Sequence, residues 1–186
     1  MIIGILSDSH GQTRRTAAAL RALRSLGAAE LVHCGDICGD GVLALLAEHR
    51  VHFVWGNMDF VDASVERYCR TLGLSPPVGV PLSLELDGTT VAVFHGHERP
   101  FSHLRRALHE QDMAQIRTVV GDARYVLYGH THQAADERIG GLRLINPGAL
   151  HRARVYSVAT LDLAGDELRH WRIDENQPET PHPWQP

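Results

Sequence analysis

The chain has 186 residues, a size that fits one domain with a substantial core, and its 44% apolar and 22% charged residues are ordinary for a soluble globular protein. A net charge of −4 and a pI near 6.3 exclude a basic field able to hold a long nucleic acid. No stretch approaches the roughly 18 apolar residues that span a membrane, the opening apolar run is too short for a signal-peptide core, and Cys34, Cys38 and Cys69 form no CxxC pair; a cytoplasmic protein with reduced thiols is expected.

The apolar pattern predicts elements in the following order. Ile2 to Leu6 is a continuous apolar run, the mark of a buried strand. Thr13 to Leu26 places Ala17, Leu20, Leu23 and Leu26 at helical spacing, with Gly27 as a stop. Leu31 to His33 is a short strand, Gly41 to His49 a helix and Val51 to Trp55 a strand. The first 55 residues thus read βαβαβ, the signal of a parallel sheet with covering helices. Residues 60 to 80 give no clear element. Leu82 to Leu86 and Thr90 to Phe94 flank Asp87-Gly88, a strong hairpin signal. His103 to His109 and Asp112 to Val120 are predicted helices, and Tyr125 to Tyr128 a strand. Ala135 to Ile139 and Leu142 to Ile145 form a second hairpin at Gly140-Gly141. Val155 to Leu163 and Glu167 to Ile173 form a third. The reading is one domain over 1–174 and a Pro-rich disordered tail over 175–186.

Polar motifs stand at the ends of five of these strands. Asp8-Ser9-His10 follows the first, Asp36 the second and Asn57 the third. His95 and His97 follow the second arm of the first hairpin, and His130 and His132 follow the Tyr125 strand. In an open α/β sheet the carboxyl ends of parallel strands share one edge, where ligands bind. Two Asp, one Asn and several His are too many donors for one four-coordinate zinc and suit two divalent ions. His with carboxylate, and no thiolate, favours Mn, Fe, Zn, Co or Ni over Ca. Two dications offset by two carboxylates leave about +2 at the centre, which attracts an anion. Paired metals that clamp attacking and leaving oxygens cleave phosphate esters.

The ordered set D-x-H, G-D, G-N-x-D, H-G-H and G-H-x-H resembles the signature of the calcineurin-like metallophosphoesterase superfamily. The short chain and "GNMD" resemble its small bacterial and archaeal YfcE-type phosphodiesterases; "INPGA" resembles their Asn-Pro-Gly-Ser turn, with Ala149 in place of Ser. The resemblance covers Met1 to about Trp171. It implies an α/β four-layer αββα sandwich of two mixed sheets flanked by helices. It implies Asp8, His10, Asp36 and His132 on one metal, and Asp36, Asn57, His95 and His130 on the second, Asp36 bridging. A hydroxide held between two ions, Mn²⁺ first among the candidates, would then attack phosphorus in line.

One departure matters. Many members of the family this chain resembles have a His just after the metal-binding Asn that can protonate the leaving group, and here Met58 stands there and cannot donate. Either the acid comes from elsewhere, with His97 the candidate, or the enzyme prefers leaving groups that need little protonation; modest turnover on alkyl esters is expected. The implied substrate is a small phosphorylated molecule: a diester first, a monoester, cyclic nucleotide or dinucleoside polyphosphate otherwise. A homo-oligomer is compatible with exposed Phe60, Val61 and Trp184. A retromer subunit shares the fold as a non-catalytic scaffold, the reading from another class. Asp59, Asn146 and Gly148 are expected to shape loops, Cys34 and Cys38 to be structural, and Arg14 and Arg15 to lie on a solvated helix face.

Overall fold

The computed structural model describes residues 1–176 and 181–186. In chain order the elements are β1 (Ile2–Leu6), α1 (Thr13–Ser25), β2 (Glu30–His33), α2 (Asp40–Leu46), β3 (Val51–Phe53), α3 (Ala63–Thr71), β4 (Leu82–Leu86), β5 (Thr89–Val93), α4 (Arg99–Glu110), α5 (Met113–Val120), β6 (Tyr125–Leu127), β7 (Ala135–Ile139), β8 (Leu142–Asn146), β9 (Ser157–Asp162), β10 (Glu167–Arg172) and β11 (His182–Trp184). One sheet has the order β11-β10-β9-β1-β2-β3 and the other β4-β5-β6-β8-β7. Within the first, β1, β2 and β3 are parallel and β9 runs antiparallel to β1. Within the second, β5, β6 and β8 are parallel, with antiparallel strands at both edges.

The alternation of side chains builds four layers. Val91 and Val93 of β5, Tyr125 and Leu127 of β6 and Ile145 of β8 face Ile3 and Ile5 of β1 and Val32 of β2 between the two sheets. The intervening Ala92, Val126 and Leu144 point the other way, against Leu104 and Leu108 of α4 and Ile116 of α5. On the opposite surface Leu20 and Leu23 of α1 and Leu43 and Leu46 of α2 pack on Leu6, Leu31 and Phe53. Strands covered on both faces must be apolar on both, so β1 and β6 read as apolar runs rather than alternating ones. Each wholly buried Ile or Leu contributes about 1.5–3 kcal/mol. The αββα sandwich of two mixed sheets is therefore the observed architecture.

The differences from the sequence reading have local causes. Residues 60–80, unreadable by periodicity, contain α3, capped by Asp62, whose side chain accepts from Ser64 and Val65 N–H. Helix α4 starts four residues before the expected His103, with Pro100 in its first turn, where its missing N–H costs nothing. The tail is not disordered throughout. Residues 182–184 form β11, pairing His170 with Trp184 and Arg172 with His182; Pro183 is tolerated because the strand lies on the sheet edge. The remaining tail positions, 177–180, lie outside the described residues.

Candidate metal centre

The carboxyl ends of the parallel strands in both sheets open on one edge of the sandwich, and each is followed by a polar loop. Beyond β1 come Asp8 and His10, beyond β2 Asp36, beyond β3 Asn57, beyond β5 His95 and His97, and beyond β6 His130 and His132. The loops cross-link: Asp8 N–H donates to Gly35 O and His10 N–H to Asp36 O, at 3.0 and 2.9 Å, and Gly129 N–H donates to His95 O at 2.8 Å. Two glycines are required by close approach. A Cβ on Gly56 would lie 2.1 Å from Asp36 Oδ1, and one on Gly129 2.0 Å from Ser7 Oγ and 2.8 Å from Asp8 Oδ2.

Asp8, His10, Asp36 and His132 each bring one donor atom to a cluster in which all lie within 4.8 Å of one another. His10 Nε2 is 3.4 Å from Asp36 Oδ2 and 3.4 Å from His132 Nε2. Asp8 is wholly buried, and its Oδ2 accepts from His130 N–H at 3.1 Å. Its Oδ1 lies 3.2 Å from His132 Nε2 but outside hydrogen-bonding geometry, and no donor satisfies it. An unpartnered buried carboxylate oxygen is costly unless a cation completes it.

The other oxygen of Asp36 looks the opposite way. Oδ1 is 3.4 Å from His95 Nε2, which is itself 3.1 Å from Asn57 Oδ1. The His95 and His130 rings are 5.1 Å apart. Asp36 thus stands between two donor sets, one oxygen toward each. Asn57 and His130 are exposed while Asp8, Asp36 and His95 are buried, so the second set faces solvent. All seven expected ligands meet at this edge. His97 does not join either set. It is exposed at the rim, 5.4 Å ring to ring from His95.

Surrounding groups fix the donors. His95 Nδ1 lies 2.7 Å from Cys34 O, and His132 Nδ1 3.4 Å from Arg152 O. A proton held there leaves Nε2 of each ring free to coordinate. Burial works to lower the His95 pKa, but the Asp36 carboxylate and the Cys34 carbonyl outweigh it and raise it; Asp8 raises that of His132. Burial lowers His10 and His130, which keeps them neutral as ligands must be. Asp36 is held below the carboxylate range: burial opposes this, and His95 and the Met58 N–H prevail.

The sequence reading missed several supports. Glu98 accepts from the N–H groups of His95 and Gly96 at 2.6 and 2.7 Å, fixing the H-G-H turn. His33, wholly buried and pushed down to about 4 by desolvation, lies 2.7 Å from Ser9 Oγ and accepts from Gly35 N–H. His151 packs 5.2 Å from the His10 ring. Arg15 is not a solvated side chain. It donates to Leu150 O at 2.6 Å and lies 3.6 Å over the Tyr156 ring, anchoring the loop after β8; Arg14 is exposed. Only the lone carboxylate two residues after Gly96 was a readable signal. The loop residues behave as expected: Asp59 ties Cys38 N–H to Gly56 N–H at 2.7 Å each, and Asn146 donates to Gly129 O at 2.8 Å. Burial raises the Cys34 thiol and, with Asp59, pushes Cys38 up to about 12, which leaves both unreactive.

This geometry has a counterpart in known proteins. Residues 1–166 match the model of the calcineurin-like phosphoesterase superfamily domain. The chain belongs to that superfamily. Phosphodiesterase MJ0936 of Methanocaldococcus jannaschii is 23% identical over 173 residues, 91% of this chain and 97% of that protein. The solved structure of a novel archaeal phosphodiesterase superposes with a TM-score of 0.75 at 23% identity, covering 93% of this chain and 100% of that one. Wild-type Vps29 of Entamoeba histolytica, solved with zinc, superposes with a TM-score of 0.58 at 20% identity, covering 92% and 91%. Superfamily membership implies divalent metal ions, and the residues here fit them: an imidazole–carboxylate donor set, no thiolate among the donors and an orphaned buried oxygen on Asp8. No helix among the described residues is long and apolar enough to cross a membrane.

Proposed function

We propose that the protein is a di-metal phosphodiesterase acting on a small phosphorylated substrate in the cytoplasm, with manganese as the working ion. The observation that carries this reading is Asp36, buried, with Oδ2 3.4 Å from His10 and Oδ1 3.4 Å from His95. A carboxylate so placed serves both ions. In this reading Asp8, His10 and His132 complete one set, and Asn57, His95 and His130 the other. When bound, the ions supply the nucleophile from water for in-line attack and polarise the phosphoryl oxygens. The protein's own groups orient the substrate. Asn57 and His130 face solvent and meet the incoming phosphate, and the buried donors set the position of the charge it seeks.

Protonation of the leaving group is the step this chain handles differently. Met58 occupies the place after Asn57, and its side chain is 58% exposed with no proton to give. His97, on the rim beside His95, is the acid in this reading. Good leaving groups need little protonation, which favours aryl or phosphoryl departure over alkoxide.

The test is hydrolysis of bis-p-nitrophenyl phosphate and p-nitrophenyl phosphate by chelator-stripped protein with manganese restored, Asp36→Asn as control. Metal-dependent diester cleavage, absent in the variant, is the expected result. Faster cleavage of the monoester would make the protein a phosphomonoesterase. The likeness to Vps29 supports one further reading, a scaffold that binds metal without turnover; two bound ions with no hydrolysis of either ester would establish it in place of the enzyme.

A further inference from the structure

A cavity of about 420 Å³ opens beside the metal centre, with Thr131, His132, Gln133, Arg152, Arg154 and Trp184 in its wall. His132 belongs both to this wall and to the Asp8–His10–Asp36 cluster, so the cavity adjoins the site. Its chemistry is unlike that of the centre: two guanidinium groups and an indole. Arg152 and Arg154 are exposed, and among the described residues no carboxylate lies within ion-pair distance of either. Other arginines are engaged: Arg15 with Glu175, Arg143 with Asp136 and Asp166, and Arg169 with Glu167. The segment bearing Arg152 is held in place, since its carbonyl lies 3.4 Å from His132 Nδ1 and its φ is +48°.

Trp184 is also held. It is half-buried, β11 pairs it opposite His170, and the two rings meet edge to face at 6.3 Å and 84°. His170 is buried, with Nε2 2.9 Å from Asn146 O. Asn146 in turn donates to Gly129 O and Thr131 Oγ1 at 2.8 and 3.1 Å, inside the loop that carries His130 and His132. An indole fixed by this chain of contacts offers a flat apolar face at a set place relative to the metal ligands.

We propose that this cavity binds the nucleotide arm of the substrate: the base stacks on Trp184, and Arg152 and Arg154 take a phosphate other than the one at the metals. The inference rests on the phosphodiesterase reading and narrows it to diesters or anhydrides with a nucleoside phosphate on one side. Stacking on an aromatic side chain tolerates any base, and guanidinium pairs recognise phosphate by parallel N–H donors. A small alkyl arm would use neither group. The two unpaired cations also place local positive charge on a chain of net charge −4, which draws an anionic arm to this side of the site.

The test uses the full chain stripped of metal, so that binding is read without turnover. Adenosine 5′-monophosphate, ribose 5-phosphate and inorganic phosphate are titrated by calorimetry, with tryptophan emission followed in parallel. We expect adenosine 5′-monophosphate to bind about tenfold or more tightly than ribose 5-phosphate and to quench emission. Trp184→Ala should remove that preference, Trp184→Phe should keep it, and Arg154→Ala should weaken both phosphates alike. Equal affinity for the two sugar phosphates in the wild type, a preference that survives Trp184→Ala, or no binding overturns the proposal. Manganese-dependent cleavage of bis-p-nitrophenyl phosphate by the same preparation separates the two readings. Cleavage without base preference refutes the subsite alone, and base preference without cleavage refutes the enzyme while the nucleotide site stands.

Discussion

Replacing Asp8 by Asn should make the metal-free protein more stable while weakening metal binding at the Asp8–His10–His132 set. Asp8 is wholly buried and Asp36 is 2% exposed, and their ligand atoms lie within 4.8 Å of each other. Two unit charges at that separation repel by about 3.5 kcal/mol at an effective dielectric near 20. Above the raised pKa values of His132 and His95 both rings are neutral and offset none of this, and solvent at the open edge screens it to about 2 kcal/mol. The Asn oxygen keeps the bond from His130 N–H, now made to Asp8 Oδ2, and its amide can donate toward His132 Nε2, so removal of the charge adds no orphaned group. For a chain of this size, about 2 kcal/mol is a rise of roughly 4–8 °C in Tm. Calorimetry in chelator at low salt measures it. Adding manganese to about a hundred times the Kd of the Asp8 set should stabilise the wild type by about 2.7 kcal/mol through that set, a gain that Asp8→Asn should lose. A metal-free Asp8→Asn protein that melts at or below the wild-type temperature would refute the claim that the empty centre stores charge repulsion.

The remaining predictions concern loop packing, the far end of the sandwich and the proton source. Gly129→Ala pushes a methyl group to 2.0 Å from Ser7 Oγ and 2.8 Å from Asp8 Oδ2; diester hydrolysis should fall about a hundredfold or more, as displaced catalytic groups do, and the manganese-induced rise in Tm should shrink with it. Arg143, 6% exposed, joins Asp136 of β7 to Asp166 in the β9–β10 turn and so ties the two sheets together. Arg143→Met should cost about 2–3 kcal/mol in urea unfolding, below a fully buried pair because both carboxylates keep contact with water, with kcat unchanged because the site is at the other end of β8. Hydrogen bonds from Arg143 hold Asp136 below its usual pKa, and those from Arg138, Arg143 and Tyr125 do so for Asp166 against the opposing effect of burial. Their contribution is complete above the unfolded carboxylate pKa of about 3.9 and is lost as the pH falls through the lower folded values, so the urea midpoint should drop between pH 5 and 3 less steeply in Asp136→Asn. His97→Ala should slow alkyl esters by about a hundredfold and p-nitrophenyl esters little, a difference in leaving-group dependence that Met58→His should reverse.

The sequence was informative where one residue type had to do one job. The strand ends were legible because five strands appear as largely apolar runs that stop abruptly at polar residues. That made Asp8, Asp36 and His95 visible as candidate ligands from the sequence alone. Helix α3 was not legible by periodicity, since among its residues only Cys69 is fully buried; its signal was the Asp62 cap. Strand β11 was hidden by prolines, which argue against a strand except at an edge, and the edge becomes apparent only with the sheet order. Arg15 was read as solvated because its partners, Leu150 and Tyr156, lie more than 130 residues away in sequence. Pairings set by the meeting of two sheets leave no local trace.

What the backbone tolerates at this edge supports the proposal that the strand-end residues are ligands rather than ordinary turn residues. Ten non-glycine residues among those described have positive φ. Asp87 and Asp166 sit in hairpin turns and Gln111 closes a helix, where such angles are routine. The other seven are Asp8, His10, Asp36, Cys38, His130, His132 and Arg152, all at one edge of the sandwich. A turn residue in the left-handed region satisfies its own side chain locally. Asp8 does not, since its Oδ1 has no donor at all. Strain and an unsatisfied buried charge at the same strand ends oppose folding, and both persist only where the surrounding structure holds them for another purpose. A pair of cations would relieve the second and give the first its use, since Asp8, His10, Asp36, His130 and His132, five side chains from three loops, turn toward one small volume.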